Sequence, residues 1–464
     1  MNKSNSANKQ FFYNILSRVT SILISTITLG LFTRLLGAEQ YSLYSMFSTW
    51  SAIIVPIMCL EMASSLSVAY YDFKDDYENY QKSILLLGTI LFIIFTVVGI
   101  VFCKPLSKLL FYSEDIVIVL IIYSFANFIT SFVQNVLMYK KKAKENFFIS
   151  LIINVSGVLL SYYLITNGSF NELYKGRIYG YAIPYIIAGI IFWCLIVFRN
   201  KKGVNTKYWK YAVSYGLPVV LHILSHDALN QSNKIMLQNL GYAGSALGVY
   251  SFYQSLVTVL STLCMALNSS WIPFYYDFLT EGNKEVLKKK TNNYMELFTV
   301  LTVGFVLLSR EVSYLFATEE FWSGINVIPL LVLPIYLMFM YQFPVNFEYY
   351  CKKTKMIPIG TICSGLANIA LNYFLIPKYG FYGSSIATII SYCVLFIIHY
   401  IISINIKEKE FNLTIKDYLP GLLMVLLSVV CFYILSDLWI IRWIIGAALG
   451  IYELRKIIKR KQIF

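Results

Sequence analysis

Ionisable and amide side chains crowd one short stretch of an otherwise apolar sequence. Asn230, Gln231 and Lys234 follow Asp227 by three, four and seven positions, so a helix places all four on one face. Such a face can bind an anionic or hydroxylated ligand through Lys234 and Asn230, with Asp227 or the neighbouring His226 exchanging a proton. The alternative is an internal ion pair between Asp227 and Lys234 that holds helices together.

The same stretch holds two histidines one helical turn apart. His222 and His226, at i and i+4, can both ligate a metal from one helix face, but no third ligand stands in the H-E-x-x-H arrangement. The eight cysteines lie mostly in apolar blocks and show no C-x-x-C spacing. The sequence therefore predicts neither a metal centre nor a disulfide framework.

Three further charged residues stand inside long apolar segments or at their ends. Arg18 lies well inside the first segment with Asn14 one turn before it, and its guanidinium fork matches a diphosphate. The alternative for Arg18 is an arginine that reaches the inner lipid headgroups. Arg34, where this segment ends, is a further candidate for substrate binding. Glu61 suits a site that binds a proton or a sodium ion, the alternative being a partner for Arg18.

Composition identifies the elements that carry these residues as membrane helices. Of 464 residues, 58% are hydrophobic and only 13% are charged, against about 25% charged in soluble domains. The apolar residues run in blocks of roughly 20, enough to cross a hydrocarbon core of ~30 Å as a helix. We predict an all-α integral membrane protein with about fourteen transmembrane helices. The predicted segments are 11–33, 44–70, 83–103, 115–139, 147–166, 178–198, 209–238, 246–275, 294–315, 325–350, 356–376, 381–404, 417–436 and 438–455.

The basic residues test this topology independently, because positive charge is retained in cytoplasmic loops. With the N-terminus inside, most of the 38 Lys and Arg residues fall in the predicted cytoplasmic segments. Those expected in outer loops are Arg34, Lys104, Lys108, Lys175, Arg177 and Lys378. Both termini are therefore predicted to be cytoplasmic. Membrane topology, rather than a nucleic-acid partner, accounts for the net charge of +14.

The two halves of the chain resemble each other. The pairs at a constant offset of 211 residues include Lys141 and Lys352, Tyr162 and Tyr373, and Leu164 and Leu375. Duplicated halves with a site between them are typical of transporters. We predict an N-terminal six-helix bundle over residues 1–205 and a C-terminal six-helix bundle over 206–405. Two additional helices and a basic tail occupy 406–464.

Several short motifs resemble those of one family of membrane proteins. The matching stretches are Thr33-Arg34-Leu35-Leu36-Gly37, Gly248-Val249-Tyr250-Ser251 and, further on, Leu371-Asn372, Leu375-Ile376-Pro377 and Ala387-Thr388. They are similar to stretches in Wzx-type O-antigen and capsule flippases of the multidrug/oligosaccharidyl-lipid/polysaccharide exporter superfamily. The likeness spans most of the chain. Ser42 and Asn233 depart from the family pattern, which usually has Gly at the first place and in many members Asp at the second.

This resemblance implies a transporter and not an enzyme. Two six-helix bundles would form a V around a central cavity that alternates between inward-facing and outward-facing states, with the last two helices peripheral. The implied cargo is an oligosaccharide on undecaprenyl diphosphate, moved from the cytoplasmic to the outer leaflet of a bacterial inner membrane. Expected partners are this substrate, membrane lipids, a glycan polymerase and a chain-length regulator. No nucleotide-binding motif occurs, so no cofactor is expected and a proton or sodium gradient is the implied energy source.

Two other functions stay open. A multidrug exporter of the same superfamily would share the fold but favour an acidic pocket, whereas Arg18, Lys234, Arg310 and Arg442 lie in or beside the spans. A membrane glycan polymerase needs a large outer loop, and the outer loops predicted here are short. The glycan, whether O-antigen, capsule or another polymer, and the oligomeric state are left undetermined by the sequence.

Overall fold

The structure is a computed structural model that describes residues 3–406, 410, 411 and 413–460. Within these ranges, the side chains of residues 3–9, 11, 14, 15, 18 and 460 are outside the description. The side chains of Asn14 and Arg18, predicted to bind a diphosphate, therefore lie outside the described residues.

Helices make up nearly all of the described chain, and strands are absent from these residues. The longer helices are α1 (Lys3–Cys59), α3 (Tyr77–Val101), α5 (Glu114–Tyr139), α6 (Ala143–Thr166), α7 (Leu173–Arg199), α8 (Thr206–Asn230), α10 (Ser245–Glu281), α11 (Lys284–Phe316), α13 (Ile328–Tyr350), α14 (Ile357–Ile404), α15 (Ile415–Ile434) and α16 (Trp439–Arg460). The short ones are α2 (Leu66–Asp72), α4 (Cys103–Leu110), α9 (Ser232–Leu237) and α12 (Glu319–Trp322). The predicted all-α class is confirmed.

Nine stretches of the described residues are helical, long and apolar enough to cross a membrane. A helix suits this environment because it satisfies its backbone N–H and C=O groups internally. Two of these helices, α1 with 57 residues and α14 with 48 residues, are too long for a single span of about 20 residues. Helix α14 covers two predicted segments, whereas α1 covers the first predicted segment and only residues 44–59 of the second, 44–70. The exact number of spans stays a prediction.

Glycines break these two long helices. Gly37 in α1 has φ of 67° and Gly380 in α14 has φ of 56°, in the left-handed region that residues with a Cβ rarely adopt. After the first break, the Ala38 N–H donates to Glu320 Oε2 over 2.9 Å. The carboxylate therefore satisfies a backbone donor where the helix restarts and complements the positive end of the helix dipole.

The chain divides into two compact units. Unit 1 comprises Met1–Thr28 and Leu43–Asp227, and unit 2 comprises Leu29–Ser42 and Ala228–Phe464. The predicted division at residues 205 and 406 stays a prediction. Leu29–Ser42 belongs to unit 2 because it packs closely on α10, where a Cβ on Gly248 would lie only 1.8 Å from the Ala38 carbonyl oxygen.

Each unit has its own core. In unit 1, buried side chains of α1, α3 and α5 meet those of α8, and Phe73 stacks on Tyr80 with ring centroids 5.2 Å apart. In unit 2, aromatic rings of α10, α11 and α13 pack together, with Phe298 and Phe339 stacked at 4.4 Å. These cores fix the helices that carry the polar side chains described below.

Charged contacts hold the last helix, α16, against α11 within unit 2. The Arg442 side chain on α16 is fully buried, where it pairs with Glu311 and donates to the Leu307 carbonyl over 3.0 Å. Lys456 of α16 pairs with Glu296 of α11. A buried guanidinium needs such partners, because an unpaired charge in an apolar environment is costly.

The contact between Glu320 and the restarted part of α1 can be tested by substitution. Replacing Glu320 with Ala removes the acceptor of the Ala38 N–H, and we expect the free energy of unfolding to fall by about 1 kcal/mol. Glu319→Ala is the matched control, because Glu319 is an exposed neighbour on α12. Thermal or denaturant unfolding in detergent measures the difference. Equal losses in the two variants would contradict the capping role.

Candidate functional site

A sharp bend follows α1 in unit 1 and carries Glu61. Leu60 and Glu61 have φ values of 49° and 46°, so two consecutive residues with a Cβ adopt the left-handed conformation. Such residues cost of order 1–3 kcal/mol each and persist only where the surroundings impose them. Gly216 of α8 supplies that constraint, since a Cβ there would lie 2.1 Å from the Leu60 carbonyl oxygen. The close approach holds Glu61 beside α8.

The bend brings two predicted ion-coupling carboxylates together. Glu61 and Asp227 are both half-buried, and the charge of Glu61 acts on Asp227. His226 is adjacent in sequence to Asp227 and exposed, and it interacts electrostatically with His222 one turn earlier. Two neighbouring carboxylates in a poorly hydrated place repel each other, and a shared proton or a small cation relieves that repulsion. This acidic cluster of unit 1 can therefore bind either.

The predicted helix over 209–238 differs from the structure. Helix α8 ends at Asn230 and α9 begins at Ser232, so Asp227 and Lys234 lie on two helices. Gln254 of α10 donates through Nε2 to the Asn230 carbonyl over 3.1 Å, which supports the backbone at the break. The side chain of Asn230 accepts from the Tyr392 hydroxyl over 2.9 Å.

A network of buried amides and hydroxyls in unit 2 follows this break. Asn233 Nδ2 donates to Thr388 Oγ1 over 2.9 Å, and Asn372 Nδ2 donates to Asn233 Oδ1 over 2.7 Å. Ser232 Oγ donates to Asn368 Oδ1 over 2.8 Å. These bonds connect α9 with both parts of α14, on either side of Gly380. Buried hydrogen-bond networks of this kind specify the packing of helices.

Lys234 lies within the same part of unit 2 and is only 9% exposed. The residues that form the network beside it in sequence, Ser232 and Asn233, carry no charge. A buried ammonium favours anions and disfavours organic cations in its neighbourhood. The sequence predicted Lys234 and Asn230, and it missed Asn368, Asn372 and Thr388 as their companions. The spacing of Asn368 and Asn372 at i and i+4 on an apolar helix was the available signal.

Arg34 occupies a different setting from the other predicted substrate-binding residues. It is exposed, and its Nη2 donates to the Leu315 carbonyl over 2.6 Å near the C-terminal end of α11 in unit 2. A cation at this place satisfies a carbonyl that the helix itself leaves unpaired. A substrate-binding role for Arg34 stays a prediction.

The prediction that Arg177 lies in an outer loop is wrong. Helix α7 begins at Leu173, and Arg177 is 2% exposed inside unit 1. Its Nη1 donates to Ser161 Oγ over 2.8 Å, its Nη2 donates to the Tyr44 hydroxyl over 2.9 Å, and the guanidinium lies 4.4 Å from the Tyr44 ring centre. Hydrogen bonds and cation–π contacts together make the buried charge tolerable. Spacing along the sequence could not show that Tyr44 and Ser161 both contact Arg177.

A basic groove of about 850 Å³ opens at one end of unit 1. The cations that line it are Lys74, Lys140, Lys142, Arg199, Lys201 and Lys202. Two of them are paired, Lys140 with Glu78 over 3.8 Å and Lys202 with Asp76. The excess of cations gives this groove a positive potential that attracts phosphate-containing headgroups.

Comparison with known proteins places these features in a family. The family described as polysaccharide biosynthesis protein matches residues 7–278. The Lsg locus putative protein 1 of Haemophilus influenzae is 23% identical over 374 residues, which cover 77% of this chain and 88% of that protein.

Solved structures show the same fold. The inward closed conformation of the lipid II flippase MurJ gives a TM-score of 0.71 at 15% identity and covers 97% of this chain and 99% of that chain. The inward-facing conformation of a multidrug resistance MATE family transporter of the MOP superfamily gives 0.63, also at 15% identity, with 87% and 94% covered.

The bend that positions Glu61 depends on Gly216, and a substitution tests this dependence. Gly216→Ala places a methyl group against the Leu60 carbonyl, so α8 or the bend must move, and we expect a loss of about 1–3 kcal/mol in the free energy of unfolding. Gly203→Ala is the matched control, since nothing lies within 4 Å of a Cβ there. Unfolding curves in detergent report the result. A stability of Gly216→Ala equal to that of the control would show that the approach of α8 is loose.

Proposed function

The chain belongs to the family described as polysaccharide biosynthesis protein, and from this premise we propose that it is a flippase for a lipid-linked oligosaccharide. It is a multi-pass membrane transporter of the MOP superfamily fold rather than an enzyme. The proposed cargo is an oligosaccharide on undecaprenyl diphosphate, carried from the cytoplasmic to the outer leaflet by alternating access. The observation that carries the proposal is the family match, which covers more than half of the chain.

The chemistry of the described residues supports an anionic cargo. A diphosphate needs cationic and hydrogen-bonding groups, and the basic groove of unit 1 provides cations where positive charge is predicted to be cytoplasmic. Lys234 provides a buried ammonium in unit 2, on the helix that begins at Ser232. We assign first contact with the diphosphate to the groove and a later contact to Lys234. Asn14, Arg18 and Arg34 are proposed as further substrate-binding residues.

The acidic cluster of unit 1 supports coupling to an ion gradient. Glu61, Asp227 and His226 can hold a proton or a sodium ion and release it when their surroundings change. Binding of the ion would neutralise the repulsion between the two carboxylates and so favour the conformation in which they are close. In this proposal the gradient, and no nucleotide, drives the cycle in a bacterial inner membrane with both termini cytoplasmic.

A second candidate function is export of organic cations. The nearness of Glu61 and Asp227 favours it, because a pair of carboxylates in a half-buried place also suits a cationic drug. Lys234 favours the flippase instead. The two functions differ in what a deletion strain loses, either surface glycan or drug resistance.

The flippase proposal is tested in a deletion strain complemented with variants. We expect the deletion to abolish surface glycan and to collect the lipid-linked oligosaccharide on the cytoplasmic leaflet. Wild type restores the glycan, and Lys234→Met restores at most about one tenth of it, because a lost charge-assisted contact of ~1.4 kcal/mol already costs tenfold.

The matched control is Lys207→Met, which removes an exposed lysine of unit 1. It should restore the glycan fully. Accumulation on the outer leaflet would indicate a polymerase defect and contradict the proposal. An intact glycan combined with drug sensitivity would favour the exporter.

The coupling role of Glu61 is tested in proteoliposomes with an imposed gradient. Glu61→Gln keeps the size of the side chain but cannot lose a proton, so flipping should no longer respond when an ionophore dissipates the proton or sodium gradient. Glu145→Gln, at an exposed carboxylate of α6, should respond like wild type. An unchanged gradient dependence in Glu61→Gln would remove Glu61 from the mechanism.

A further inference from the structure

Unit 2 contains a completely buried pair of ionisable side chains outside the sites described above. Glu348 on α13 and His399 on α14 are both 0% exposed, and His399 Nδ1 lies 2.9 Å from Glu348 Oε1. A proton lies between the two atoms, because one of them must donate, and either the imidazole Nδ1 or the carboxyl group carries it. Glu348 stands near the end of a predicted span.

A glycine makes space for the imidazole of the pair within α14. Gly360, in the first part of α14, faces the imidazole so closely that a Cβ there would lie 2.6 Å from His399 Nε2. Ser403 Oγ donates to the Pro344 carbonyl over 3.0 Å and ties the same two helices together. Within the described residues, neither Glu348 Oε2 nor His399 Nε2 has a hydrogen-bond partner. The imidazole and the carboxyl group therefore each have one buried polar atom without a hydrogen-bond partner among these residues.

The charge of this pair depends on one proton. The pair is neutral overall when it holds one proton beyond the ring proton of a neutral imidazole. It is then either an imidazolium beside a carboxylate or a neutral imidazole beside a carboxylic acid. Loss of that proton leaves an isolated buried carboxylate, and a second proton leaves an isolated imidazolium. Either state is strongly disfavoured in an apolar interior unless water enters or the helices separate.

Among the described residues, phenols and a thiol lie around the pair. Tyr341 of α13 has its ring centre 5.8 Å from that of His399, and Tyr349 interacts electrostatically with Glu348. Cys264 of α10 lies near Tyr341. Phenols and thiols of ordinary type are neutral near pH 7. The exposed residue Lys353 donates through its backbone N–H to the Glu348 carbonyl.

We propose that Glu348 and His399 form a proton-binding site of unit 2, distinct from the acidic cluster of unit 1. The site holds one proton while α13 and α14 are packed together. It releases that proton to water at the nearby helix ends, which are predicted to be cytoplasmic, when the contact between the helices opens and becomes hydrated. This inference deepens the proposed ion coupling, and it rests on the proposed function only for its role in transport.

Histidine spectroscopy tests the site without any transport assay. The chain has three histidines, so a His222→Asn, His226→Asn double variant of the full-length protein leaves His399 as the single reporter. The ring nitrogens of nitrogen-15-labelled histidine in lipid nanodiscs report protonation by NMR. We record these signals from about pH 5 to about pH 8 and expect those of His399 to change, because release of the proton requires that the helices open and the pair becomes hydrated. In the added Glu348→Gln variant, this change should be lost or should move by at least about one pH unit, because the charged partner is gone.

Glu285→Gln is the matched control, since Glu285 is an exposed carboxylate of the same unit on α11. It should leave the His399 titration in place. A His399 signal that stays constant over the whole range overturns the proposal, and so does an identical titration in Glu348→Gln. If Glu348→Gln does not fold, the titration of the double histidine variant alone decides. A constant His399 signal then contradicts the site, and a changing signal supports it. A parent protein that binds the proton but fails to flip lipid would overturn the flippase proposal and leave this site standing.

Discussion

The absence of water from a bilayer interior governs this chain more than any single contact does. Backbone N–H and C=O groups that cannot reach water must be satisfied within the chain, so apolar stretches form helices along their whole length. Departures from the helix are confined to places that meet this requirement in another way. Glu320 accepts the Ala38 N–H where α1 restarts after Gly37, and Gln254 supports the carbonyl of Asn230 where α8 ends.

The same constraint applies to side chains, and it shapes the interior of both units. Arg177 in unit 1 and Arg442 in unit 2 are buried with several partners each. The asparagines of α9 and α14 form hydrogen bonds in a network that spans the break at Gly380. Such groups add specificity to helix packing that apolar contacts alone do not provide, because a shifted register would leave them unsatisfied.

Two pairs of ionisable side chains differ from these groups because protonation sets their charge. Glu61 and Asp227 in unit 1 repel each other, and Glu348 with His399 in unit 2 depends on a single proton. Both pairs place ionisable groups away from water, and buried ionisable groups inside a membrane protein concentrate at functional sites. A transporter that uses ion gradients needs sites whose charge changes during its cycle. The two pairs give each unit one such candidate.

The sequence by itself determined the fold class and the family, because long apolar blocks and the distribution of Lys and Arg depend on residue type alone. It also identified Glu61, Asp227, Asn230 and Lys234 as unusual, since polar residues in apolar segments are visible without coordinates. Tertiary structure decided which of them meet. The left-handed bend at Glu61, the burial of Arg177 and the pairing of Glu348 with His399 each depend on residues far apart in sequence. Spacing along a helix predicts a shared face, but only the packing of helices determines what that face touches.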